Sequence, residues 1–273
     1  MDARQLLKLI APGGLGATDL FRYERKYVVS ETAADALRRF IAPHLAPDDH
    51  MRPDEPRGYQ VFSLYMDTPQ LSMYRQTVQG VRSRYKLRIR FYDTREESLA
   101  LFEIKTRQAD SIHKQRAAVP KSAAARFLAG GRLSSADLLA PSDKSVRALA
   151  EFCERCDRLG AAPTAFVSYW REAYVSRQPD DVRVTLDRQL AARDGRFAQS
   201  LQLANQETLA APNKVVLELK NSGRAPNWMR DLVRTFALQR VSFPKYVYCV
   251  NALGLAELSA RGAHQSPEGV SCL

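Results

Sequence analysis

Four cysteines and four histidines in 273 residues leave little material for a metal centre or a disulfide framework. Cys153 and Cys156 form an isolated Cys-x-x-Cys inside a helical pattern over 146–159. A zinc site there would need two further ligands from Cys249, Cys272 or scattered histidines, so packed thiols are the simpler reading. Long apolar runs are also missing: none approaches the ~20 residues of a membrane span. Residues 1–20 hold one short apolar patch broken by Gly13-Gly14-Leu15-Gly16, not the apolar core of a signal peptide. A cytoplasmic protein is therefore expected. Internal repeats and a dividing linker are absent too, which favours one large domain over 20–258, a flexible lead-in over 1–19 and a disordered tail over 259–273. The last scarcity is acid: 30 Asp and Glu stand against 41 Lys and Arg, a formal charge of +11. Such an excess points to a polyanionic partner.

The charge is concentrated in strands. From Arg82 to Tyr92 every second residue is basic (Arg82, Arg84, Lys86, Arg88, Arg90), and the residues between are Ser83, Tyr85, Leu87, Ile89 and Phe91. Alternate side chains of a strand point to opposite faces, so one face is cationic over roughly 26 Å and the other mostly apolar. A solvated edge strand would show the same pattern. What separates the two readings is whether other strands carry matching rows.

They do. Phe21–Val29 alternates with Arg22, Glu24 and Lys26 on one face; Ser30 then caps a predicted helix from Glu31 to about Ile41. A loop over 47–58 leads to a strand over 59–66. Asp67-Thr68-Pro69 reads as an N-cap with proline in the first turn of a helix to about Thr77. Leu99–Arg107 carries Glu103, Lys105 and Arg107 in phase, and Ile112–Val119 pairs back with Lys114 and Arg116 on one face. An Ala-rich helical stretch over 120–159 looks like packing. Strands resume at Ala165–Ser176, with Tyr169 and Arg171 in phase, and at Val182–Asp187, with Arg183 and Asp187 in phase. A weaker strand is expected near Phe197, then one at Val215–Leu219 that aligns Glu218 with Lys220. Helices over about 226–238 and from Pro244 to about Leu258 complete the chain.

These strands suggest an α+β fold: an antiparallel β-barrel, or tunnel, of about eight strands with helices packed outside. A lumen lined by Arg and Lys repels itself, and a chain of phosphates supplies the missing negative charge. Carboxylates share that face only at Glu24, Glu103, Asp187 and Glu218. The first three read foremost as ion-pair partners; Glu218 reads equally as a partner or as a ligand for Mg²⁺ or Mn²⁺.

The segments Tyr-Glu-Arg-Lys-Tyr (23–27), Ser-Leu-Tyr-Met-Asp-Thr (63–68), Arg-Tyr-Lys-Leu-Arg-Ile-Arg-Phe-Tyr (84–92), Phe-Glu-Ile-Lys (102–105), Tyr-Trp-Arg-Glu-Ala-Tyr (169–174), Arg-Val-Thr-Leu-Asp (183–187), Leu-Glu-Leu-Lys (217–220) and Pro-Lys-Tyr (244–246) occur in one order. In this the chain resembles VTC domains, the polyphosphate polymerase domain of the vacuolar transporter chaperone complex, within the CYTH or triphosphate tunnel metalloenzyme superfamily. The resemblance covers about 20–257. It implies a β-tunnel in which a metal-dependent reaction transfers the ATP γ-phosphate to a polyphosphate chain. It also implies phosphate contacts at Lys26, Arg88, Arg90, Lys105, Lys114, Tyr169, Arg171 and Lys245, with Glu218 on the metal. Arg88, Arg90, Lys105 and Arg171 would be the catalytic clamps. Lys86 and Lys220 fit the lining by phase, and Arg82 and Arg84 would attract polyanion at a tunnel mouth.

Two positions depart from the pattern. The superfamily's Glu-x-Glu-x-Lys is Arg22-x-Glu24-x-Lys26 here, as in the polymerase branch, and the polymerase Ser-Lys-Tyr is Pro244-Lys245-Tyr246, which removes a hydroxyl. The SPX and transmembrane segments of the eukaryotic complex are not in this chain, so coupling to translocation is not implied. Two alternatives stand beside the polymerase: a triphosphate or organic phosphate hydrolase, and a non-catalytic polyanion-binding module. Specific nucleic-acid binding is not expected, because an inward basic row with few exposed basic helices is a poor groove reader.

Overall fold

Alternation of small or polar with apolar residues organises the molecule into one antiparallel sheet of ten strands, seen in a computed structural model. It describes residues 22–52, 55, 58–109, 111–178, 181–202 and 207–263; side chains of 22 and 260–263 are not described. The expected lead-in and residues 264–273 of the expected tail over 259–273 lie outside the described residues, whereas 259–263 of that tail belong to the last helix. The strands are β1 (Arg22–Val29), β2 (Leu45–Pro47), β3 (Tyr59–Asp67), β4 (Ser83–Phe91), β5 (Leu99–Gln108), β6 (Ser111–Pro120), β7 (Ala162–Ser176), β8 (Arg183–Asp194), β9 (Thr208–Leu209) and β10 (Val215–Ser222). The main path runs β1-β10-β8-β7-β3-β4-β5-β6, with β2 on β7 and β9 on β8.

The expected closed barrel is an open ladder: among the described residues no backbone pairing joins β1 to β6. The sheet nevertheless curls, because Lys105 of β5 reaches Glu24 of β1 at 3.4 Å. Side chains span the gap where a barrel would have hydrogen bonds. The free edge of β1 is partly covered, since the Val241 N–H donates to the Lys26 carbonyl at 2.8 Å.

Among the described residues, seven helices pack on this sheet: α1 (Glu31–Ile41), α2 (Ser72–Val78), α3 (Lys121–Leu128), α4 (Asp143–Leu159), α5 (Asn227–Thr235), α6 (Lys245–Ala252) and α7 (Leu255–Ala263). Ser30 caps α1 as expected, accepting from the Ala33 N–H at 3.1 Å. Asp67 caps α2 from a distance. The helix starts only at Ser72, and the Asp67 carboxylate accepts from the Met73 and Tyr74 N–H groups at 2.9 and 3.0 Å. α4 lays Ala148, Leu149, Phe152 and Cys156 against the outer face of β4–β6. Burial pushes the Cys153 and Cys156 thiols up to about 11 and about 12, so both stay protonated and act as packing groups.

Not every helix is outside. α6 lies against the concave face, packing Tyr246, Cys249 and Val250 on Val61, Tyr65, Val167, Leu190 and Val216. Part of the inward face is apolar and needs cover, which an alternation count focused on cations does not reveal. The helix expected to run to about Leu258 breaks at Leu253 and Gly254, and α7 resumes at Leu255. The expected strand near Phe197 is a turn with Phe197 exposed; β8 instead runs on to Asp194 through a bulge at Gln189, whose φ is 51°.

Candidate functional site

Register decides which cations meet. Residues directly opposite on neighbouring strands share a face. Across β4, β5 and β6 the concave rows are Arg88–Glu103–Arg116 and, one step along, Lys86–Lys105–Lys114. The first row has an acid at its centre. The second is three ammonium groups side by side.

Glu103 is fully buried and gathers the first group. Its Oε2 accepts from Arg88 Nε at 2.7 Å, Oε1 pairs with Lys114 Nζ at 2.6 Å and accepts from Arg116 Nε at 3.0 Å, and Arg90 Nε lies 3.7 Å away. Burial would raise this carboxyl, but Arg88, Lys114 and Arg90 hold it well below the usual carboxylate range. Arg88 also donates to the Tyr65 hydroxyl at 3.1 Å.

A second group forms where β1, β10, β8, β7 and α6 converge. Lys26 Nζ lies between Glu24 and Glu218, at 3.3 and 3.0 Å. Lys245 Nζ lies between Asp187 and Glu218, at 2.6 and 2.9 Å. Arg171 makes two parallel bonds of 2.7 Å to Asp187, and Lys220 pairs with Glu218 at 2.8 Å. Burial opposes the Lys245 charge, but Asp187 and Glu218 more than offset it and hold the ammonium protonated. Tyr169 joins the two groups: Arg171 and Lys245 lie over its ring at 5.3 and 4.9 Å, and Arg90 donates to its hydroxyl at 3.5 Å.

The balance is incomplete. Lys86 faces inward with no carboxylate among the main causes acting on it; burial, then Lys105 and Lys26, bring it down to about 7. Burial, only partly offset by Glu24, brings Lys105 down to about 8 although water reaches a third of its side chain. Ser63 Oγ, Arg90 Nε and Thr185 Oγ1 are buried on the same face without a hydrogen-bond partner. Cations outnumber acids, and unmet donors sit among them. The arrangement suits a ligand rich in anionic oxygen.

The structure thus brings together Lys26, Lys86, Arg88, Arg90, Lys105, Lys114, Tyr169, Arg171, Glu218, Lys220 and Lys245 on one concave face. Arg183 departs from this set by pairing with Asp48 at 2.6 Å near one end. Glu24, Glu103 and Asp187 are ion-pair partners, as their phase suggested. The Tyr65 contact to Arg88 was not foreseen; an inward phase shared with Val61 and Ser63 was the available signal. A divalent ion finds no ready cage: among the described residues no three His, Cys, Asp or Glu side chains converge on a metal position. Both Glu218 oxygens are engaged by lysines. One carboxylate can still serve Mg²⁺ or Mn²⁺ in the mode such ions use at nucleotides, where phosphate oxygens and water supply the remaining ligands.

The fold is a curled antiparallel sheet whose inner face holds more Arg and Lys than Asp and Glu. The VTC domain family profile matches residues 21–254, and the chain belongs to that family. No curated protein matches. Among solved structures, the PH1819 protein from Pyrococcus horikoshii OT3 is a loose likeness, with 11% identity and a TM-score of 0.42 over 84% of this chain and 98% of that one. Among the described residues no helix is long and apolar enough to cross a membrane.

Proposed function

We propose that this chain is a metal-dependent polyphosphate polymerase that transfers the ATP γ-phosphate to a polyphosphate chain held along its concave basic face. The single observation that carries the reading is the row Lys86–Lys105–Lys114, three adjacent lysines near which, among the described residues, the charges of Glu24, Glu103 and Glu218 are the main negative ones. Like charges opposite one another destabilise a sheet unless a ligand neutralises them.

In this reading Arg88, Arg90, Lys105 and Arg171 clamp the reacting phosphates, and Lys26, Lys86, Lys114, Tyr169, Lys220 and Lys245 line the path. A terminal oxygen of the polyphosphate forms a bond to the γ-phosphorus while the bond from that phosphorus to the β,γ-bridging oxygen breaks and ADP leaves. The attacking oxygen is already anionic, so no general base is required. The side chains orient the two ends and neutralise the charge spread over the transferred group. Glu218 would hold Mg²⁺ or Mn²⁺ together with phosphate oxygens, and the ion would add charge neutralisation there.

One observation favours a second reading, a non-catalytic polyanion-binding module: lysines occupy both oxygens of Glu218. Incubation with ATP and Mn²⁺ or Mg²⁺ separates the readings. Long polyphosphate with ADP supports the polymerase; free phosphate alone identifies a hydrolase; binding without turnover identifies the module.

A further inference from the structure

Beside the basic face lies a cavity of about 440 Å³ of different chemistry. Its lining residues include His50, Tyr59, Gln60, Phe62, Tyr92 and Trp170. Its charged rim is balanced internally, with Arg52 at 3.8 Å from Glu55 and Arg95 at 2.9 Å from Asp93. The cavity therefore adds little net field to a strongly cationic neighbour.

The rings are arranged as a slot. His50 and Tyr92 have ring planes within 13° of parallel and centroids 6.5 Å apart, while Tyr59 stands tilted at 6.2 Å from Tyr92 and 5.7 Å from His50. The slot is also joined to the clamps: Tyr59 is directly opposite Arg171, and Tyr92 continues the inward phase of Arg90 beyond the end of β4.

We propose that this cavity binds the nucleobase of a nucleoside triphosphate, stacked on the Tyr92 ring, with its phosphates passing Arg171 and Arg90 onto the basic rows. The inference rests on the reading of the concave face as a phosphate path. A nucleotide has the same division as the site, a neutral aromatic end and an anionic end. Stacking recognises the base, and the arginines recognise the phosphates.

Equilibrium binding of ATP and of inorganic tripolyphosphate to the whole chain tests this, with Tyr92→Ala and the ring-preserving Tyr92→Phe. ATP affinity falls about 10-fold in Tyr92→Ala, a typical effect of losing one stacking face. Tripolyphosphate affinity stays unchanged, and Tyr92→Phe restores ATP binding. Equal loss of both ligands, no loss of ATP, or no ATP binding by the unmodified chain overturns the slot. Tyr92-dependent ATP binding without polymer formation keeps the slot and removes the polymerase. Tripolyphosphate binding with no sensitivity of ATP to Tyr92 keeps the phosphate path and removes the slot.

Discussion

Lys86 is the residue at which charge, burial and function are most tightly joined. Its ammonium titrates at about 7 in the folded chain, against about 10.4 in an unfolded one. Between those values the unfolded state binds more protons, so stability rises with pH across that window; Lys105, at about 8, acts in the same direction. Denaturation midpoints should climb from pH 7 to pH 10, and Lys86→Met should flatten the climb. A bound phosphate reverses the depression, so tripolyphosphate binding at pH 8.5 should take up protons from the buffer. Calorimetry in two buffers of different ionisation enthalpy reads this directly, and zero uptake would contradict the placement of Lys86. Arg88→Ala or Lys105→Ala should lower turnover by about 10²–10³ with the fold intact, because Glu103 keeps Lys114 and Arg116 as partners and Glu24 keeps Lys26. Full activity in either variant would sink the clamp assignment. Glu218→Gln should weaken the response to Mn²⁺ or Mg²⁺ while leaving metal-free tripolyphosphate binding in place; an unchanged metal titration would remove Glu218 from that role.

Elements hold these residues in position, and one junction is unusually exacting. Gly58, just before β3, has φ +90°, and a Cβ there would meet the Arg171 carbonyl oxygen at 2.0 Å. Gly58→Ala must therefore push β3 from β7 at the point where Arg171 is anchored. A loss of more than about 2 kcal/mol in denaturant unfolding, with weakened tripolyphosphate binding, is expected. Gly80 has φ +69° with open space around its missing Cβ, and the same change there should cost only about 1 kcal/mol and spare binding. If the two variants behaved alike, the close approach at Arg171 would not be what Gly58 serves. At this scale the strands β1, β4, β5 and β6 were readable, since each runs eight to ten residues and keeps two or more charged residues in one phase. The later half of β8 was not, because the bulge at Gln189 breaks its phase. The inner position of α6 was hidden for another reason: its partners Val61, Tyr65 and Val216 come from strands far from it in the chain.

The whole molecule carries +11, and part of that excess is gathered on the inner face of the sheet. Tripolyphosphate at about 100 times its dissociation constant should stabilise the fold by about 2.7 kcal/mol, an increment that shrinks as salt screens the mouth of the basic face. The sequence by itself determined most of the long strands, the in-phase cations of β1, β4, β5, β6 and β10 and, through its ordered segments, the family. Those properties are local or additive: alternation over a few residues and a sum of charges. Tertiary structure alone decided that Glu103 would hold Arg88, Lys114 and Arg116 while Lys86, Lys105 and Lys114 would stand in line. It also decided that Lys26 and Lys245 would each bridge two carboxylates, and that α6 would fill the apolar part of the inner face. Cross-strand register and sheet curvature fix which inward side chains are neighbours, and neither is written in any single segment.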